Sequence, residues 1–166
     1  MKPFLILPFL LLIFLNCTSK KEKILDTTIE NVSPTVLNPN NYDEIGFQCN
    51  YEGKSTDIVS KFSNLIKDKN YYQLKSELYS SQPGNCYLAT FICEKLVEEG
   101  LINLNGTEMT QIKKNRIKTD TIFTCSGCTN SGNFTIKQLL TDTSNFMRME
   151  TGWWFDEMLG KNVIGD

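Results

Sequence analysis

Hydrophobic and polar positions divide this chain into stretches of different period. Phe4 to Leu15 is an unbroken run of twelve apolar or proline residues behind Lys2. A helix of that length rises about 18 Å against a hydrocarbon core of about 30 Å, so the run predicts the apolar region of an export signal rather than a membrane span. The stretch 18–41 is polar, holds Pro34 and Pro39, and has no apolar repeat longer than one turn. It predicts a tether, and about 24 residues of coil span roughly 25 to 30 Å.

Helical spacing starts at Ser55, a candidate N-cap. Ile58, Val59, Phe62, Leu65 and Ile66 then predict a helix over 56–67. Tyr71, Leu74 and Leu78 mark a second short helix, and Ser80 to Asn85 has the composition of a turn. Tyr87 to Glu99 predicts a third helix with Leu88, Ile92 and Leu96 on one stripe, Ala89 and Cys93 beside it, and Gly100 as its stop. Asn105 or Thr107 can cap a fourth, carrying Met109 and Ile112 and ending near Asn115, where Lys113, Lys114 and Arg116 complement its negative end.

The period then changes to two. Ile117, Thr119, Thr121, Phe123 and Cys125 alternate with Lys118, Asp120, Ile122 and Thr124, which predicts a strand. Its backbone needs a partner, and the candidates are Glu44 to Tyr51 and the short Phe134-Thr135-Ile136 segment. Thr135 followed by Gln138 also matches a capping box, so Thr135 to Leu140 reads equally well as a helix start. Trp153, Trp154 and Phe155, with Met158 and Leu159, form the most concentrated apolar surface. We expect it to close the core, because the rest of the domain is poor in aromatics; an exposed patch for a partner is the alternative. Together these elements predict one small α+β domain over 42–166, mainly α. Short antiparallel helices would pack around one core, with a small β element near residues 44–51 and 117–125.

Two short motifs carry resemblances. Leu15-Asn16-Cys17 resembles the lipobox of bacterial lipoproteins, although Asn16 stands where Gly, Ala or Ser is usual and Phe14 where Leu is usual. With the Lys-rich stretch Thr18 to Lys23, it is similar to the looser lipoboxes of Bacteroidetes lipoproteins. The resemblance implies a signal peptide over 1–16, an acylated Cys17 opening a tether over 17–41, and an anchor in the cell envelope at the outer membrane. Ordinary cleavage near Ser19 is the alternative. The segment 70–96, with Pro83 ahead of Tyr87-Leu88-Ala89, resembles one HEAT-type helical repeat, with no second copy at a fixed period.

Composition narrows the chemistry. The chain has no histidine, so Ser-His-Asp and Cys-His catalysis and His-bearing zinc motifs are excluded. With 17 Lys plus Arg against 19 Asp plus Glu and no basic cluster, it lacks a surface for neutralising nucleic-acid phosphates. Glu94 and Glu98 lie one turn apart, as an acid/base pair would, but a solvated helix face explains them more simply. Gly127, Gly132 and Gly152 have no phosphate-loop spacing, and neither Ser126 nor Ser131 sits in a nucleophile elbow.

The cysteines remain. If Cys17 carries lipid, Cys49, Cys86, Cys93, Cys125 and Cys128 are left, an odd number in a compartment that favours disulfides. Were Cys86 and Cys93 both helical, a rise of about 10 Å would put them past the roughly 7 Å limit for bridged Cα atoms. Cys125-Ser126-Gly127-Cys128 is a C-x-x-C motif with several uses. Thioredoxin-type redox chemistry wants a helix N-terminus at the first thiol, whereas residues 129–133 are turn-rich. A zinc knuckle needs two more ligands from Cys49, Cys86, Cys93 or carboxylates. A structural disulfide, within the motif or to a distant cysteine, is the simplest use, and unpaired buried thiols are the remaining one. The reading that follows is a lipid-anchored envelope protein with no cofactor or metal, working by binding another protein rather than by catalysis. Its rivals are a thiol-disulfide enzyme using Cys125 and Cys128, and an immunity-type lipoprotein that neutralises an envelope toxin.

Overall fold

Capping and burial decide where the elements fall in the computed structural model, which describes residues 43–49, 53–127 and 129–161. In chain order they are β1 (Glu44–Cys49), α1 (Asp57–Lys67), α2 (Tyr71–Ser76) running into a 3-10 turn at Glu77–Tyr79, and α3 (Pro83–Glu98). After these come α4 (Gly106–Asn115), β2 (Thr121–Gly127), β3 (Asn130–Thr135), α5 (Ile136–Thr141) and α6 (Phe146–Met158). The domain is α+β and mainly α. The segments expected to form a leader and a tether, together with Cys17 and Cys128, lie outside the described residues, and no helix among the described residues is long and apolar enough to cross a membrane.

Helix α1 buries Val59, Phe62, Leu65 and Ile66, the stripe its spacing predicts. Helix α3 corrects the expectation at both its start and its faces. It begins at Pro83, inside the segment read as a turn, because proline at the first helical position lacks only an N–H that would have no intrahelical partner. Residues Gly84 through Cys93 are all buried, so α3 has no solvent face over that length and the single stripe is too narrow a description. Phe62, Tyr87, Leu88, Ile92 and Leu96 are among its fully buried neighbours and members, and they centre the core.

Polar groups inside this block are paired. The Asn115 amide, at the end of α4, donates to the Leu78 carbonyl at 3.0 Å and to Thr90 Oγ1 at 2.9 Å, and its oxygen accepts from Gln111 at 2.9 Å. A buried amide satisfied at every contact ties α4 to α3 and to the 3-10 turn. At the start of α4 the Asn105 side chain caps the Glu108 N–H while Glu108 reaches back to the Asn105 N–H, a complete capping box. Tyr87 and Thr151 share a buried hydrogen bond of 2.8 Å that joins α3 to α6.

The sheet has the order β1-β2-β3, with β1 parallel and β3 antiparallel to β2. Both candidate partners of the central strand are therefore present. That strand starts at Thr121 rather than Ile117, because the N–H groups of Ile117 and Lys118 bond back to Lys114 and Asn115 in the turn that ends α4. Thr135 settles the strand-or-helix ambiguity by doing both: it closes β3 and caps α5 through a capping box with Gln138.

Candidate functional site

The central chemistry is at the β1–β2 seam. Parallel pairing sets Glu44 against Phe123, Ile45 against Thr124 and Gly46 against Cys125, and the register then shifts so that Cys49 meets Gly127. This brings Cys49 and Cys125, 76 residues apart in sequence, to a Cα separation of 5.5 Å, where they form a disulfide. Both are buried. Gly46 permits the arrangement, since a Cβ at that position would overlap both sulfurs and lie 2.9 Å from the Cys125 carbonyl oxygen. Glu44 Oε1 lies 3.0 Å from Cys125 Sγ. The Cys125 carbonyl oxygen lies 3.3 Å from Cys49 Sγ.

The remaining described thiols are apart from this seam. Cys86 and Cys93 both lie on α3, free and buried. Burial pushes the Cys93 thiol up to about 12, against a smaller opposing effect of Lys75. Burial also raises Cys86, partly offset by Lys118, whose Nζ approaches the sulfur at 3.3 Å. Thiols held in the protonated form are poor nucleophiles. Glu94 and Glu98 are drawn into ion pairs, with Arg116 at 2.6 Å and Lys95 at 2.6 Å respectively, as a surface helix face would have them.

Beside the seam runs an open groove of about 910 Å³ between α1, the end of β1 and α6. Its lining is mostly polar, and its apolar part is Phe47, Trp153, Trp154 and Met158. Phe47 and Trp154 pack with ring centroids 5.3 Å apart, and Trp154 Nε1–H donates to Ser63 Oγ at 3.2 Å. Trp153, next in sequence, lines the same groove with 51% of its surface exposed. The expectation of a wholly buried aromatic segment therefore holds for Trp154 and Phe155 and fails for Trp153. Consecutive residues of a helix point about 100° apart, so one ring faces inward and its neighbour outward.

Groove and seam are joined through one hydrogen bond. Ser126, adjacent to Cys125, donates from Oγ to Glu150 Oε1 at 2.5 Å, and Glu150 lines the groove. Glu150 Oε2 is buried with no hydrogen-bond partner among the described residues. The charged residues of the lining are mixed in sign, Lys67 and Lys161 with Glu150 and Glu157, and Lys161 pairs with Glu99 and Asp156. Sequence reasoning singled out Cys49, Cys125 and Trp153 but passed over Glu44, Gly46, Phe47 and Glu150, which no motif marks. A glycine inside the strand, Gly46, three residues before Cys49, is the one local hint of close approach. No protein-family model matches the chain, and no curated protein or solved structure matches it either.

Proposed function

We propose that this chain is a cell-envelope lipoprotein, anchored at the outer membrane by an acylated Cys17, whose folded domain is a non-catalytic protein-binding module. The groove would take a partner's extended segment through its polar lining and seat one apolar side chain of that segment against Phe47 and the tryptophans. The half-exposed Trp153 carries this reading. A large ring left in water beside a recessed aromatic pair is the pattern of a binding anchor, and the mixed rim charges suit a polar partner backbone better than a nucleic acid. The apolar run ending in Leu15-Asn16-Cys17 supports the anchor.

A photo-crosslinking amino acid at position 157, on the groove lining beside Trp153, in the full chain expressed in its own envelope, tests the binding role. One dominant adduct is expected, and it should vanish when Phe47→Ala is added. An adduct pattern no different from that of a crosslinker at exposed Tyr72, far along the sequence on α2, would overturn it. Identification of the adduct as a toxin would turn the reading toward the immunity-type class. In the same cells Cys17→Ala should move the protein from the membrane pellet to the soluble fraction, and a mutant that still pellets would overturn the anchor.

A further inference from the structure

We propose that the β1–β2 seam is a redox-gated metal site, in which Cys49, Cys125 and Glu44 bind a soft divalent cation of the zinc class once the disulfide is reduced. The donor atoms of these three residues all lie within 4.8 Å of one another. Two thiolates and a carboxylate are a donor set that zinc accepts, with a fourth position left for water. Glu44 is the observation that a structural disulfide does not account for. Its Oε1 lies 3.0 Å from Cys125 Sγ, and a bridged sulfur has no proton to give a carboxylate. After reduction the same oxygen faces two sulfur ligands.

The fold suits both states. Tetrahedral zinc with Zn–S near 2.3 Å asks for sulfurs about 3.7 Å apart, a separation that rotation of either cysteine about χ1 supplies once the bond is broken. Gly46 has no Cβ to displace the sulfurs, which sit where one would be. Glu44 is part-exposed whereas both cysteines are buried, so a cation can enter from the carboxylate side. The chemistry balances: a dithiol reductant gives two electrons and two protons to the bridge, yielding two thiols and an oxidised reductant. The cation then displaces both thiol protons to solvent.

This inference uses different residues from the groove, so its failure leaves the binding reading untouched. The test is a cobalt(II) titration of the full chain under a phosphine reductant, which contributes no thiol ligand, followed by zinc competition. One equivalent is expected to bind, with thiolate-to-metal charge-transfer bands and the visible bands of a tetrahedral centre. Cys49→Ser should abolish them, and Glu44→Gln should weaken binding by about tenfold or more. Cys86→Ser, Cys93→Ser and Cys128→Ser should leave the spectrum and stoichiometry unchanged, and unreduced protein should stay colourless. Binding that survives Glu44→Gln undiminished, that depends on Cys128 instead of Cys49, or that occurs equally without reduction would overturn the proposal, as would no binding at all.

Discussion

The block around α3 and the seam between β1 and β2 are built on different physics. Around α3, every position from Gly84 to Cys93 is buried, and the interior polar groups Thr90 and Asn115 bond to each other and to the Cys86 and Leu78 carbonyls. Cohesion there is spread over many apolar contacts, each fully buried Leu or Ile contributing about 1.5 to 3 kcal/mol. The seam concentrates its cohesion in few groups. Its strands are six and seven residues long, its interior includes Thr124, Ser126 and the orphan oxygen of Glu150, and one covalent bond fixes β1 to β2. A region held by many small terms tolerates the loss of one. A region whose backbone pairing is reinforced by one covalent bond can change state when that bond does, so chemistry is expected at the seam and not in the helical block.

Breaking the bridge should have the largest effect. In the chain-entropy model a loop of this separation is worth roughly 4 kcal/mol. The Cys49→Ser/Cys125→Ser protein in metal-free buffer should lose about that much in urea unfolding. Hydrogen exchange should show the loss unevenly, with amides of β1 and the groove wall losing protection while those of α3 keep theirs. A uniform loss would mean that seam and block unfold as one unit and that the contrast between them is false.

Next in size, Leu88→Ala should remove about 3 kcal/mol, within the 2 to 5 kcal/mol range for opening a core cavity, since Leu88 is fully buried on α3. The cost should be the same with and without reductant, because the block's cohesion is taken to be independent of the bridge. A loss below about 1 kcal/mol would place α3 at the edge of the core rather than its centre.

What could be read from the sequence follows the same division. Helices α1 and α4 announce themselves locally, α1 by its apolar spacing and α4 by Asn105 and Glu108, so their limits fall within a residue or two of expectation. Helix α3 was half legible: periodicity marks a helix by its polar face, and a helix surrounded by protein has none. Its start was hidden because Ser-Ser-Gln-Pro-Gly-Asn has the composition of a turn, while the structure uses Pro83 as an N1 residue. The alternation from Ile117 to Thr119 mimicked a strand, yet Ile117 is 70% exposed and belongs to the turn after α4. At the seam the partner strand and a bridge from Cys125 to a distant cysteine were among the readings, but not which cysteine. Which cysteine meets Cys125 depends on which strand lies beside β2 and in what register, and a register is a tertiary property. Glu44 and Gly46 carry no motif at all, and their roles exist only once β1 is laid parallel to β2.

The smallest effect on stability should come from Trp153→Ala, and its smallness is what makes it informative. Two adjacent tryptophans divide the roles of the domain between them: Trp154 is 8% exposed, packed at a tilt against Phe47 and bonded to Ser63, whereas Trp153 is 51% exposed. If the outward ring is there for a partner, removing it should change the free energy of urea unfolding by no more than about 0.5 kcal/mol, the range of ordinary surface positions. The same substitution should abolish the adduct expected from a crosslinker placed next to it at Glu157 on the groove rim. A loss of 2 kcal/mol or more in the isolated protein would show that the ring already packs against its own domain. Trp153 would then belong with the distributed cohesion of the helical block, and the groove would be without the anchor on which the binding role depends.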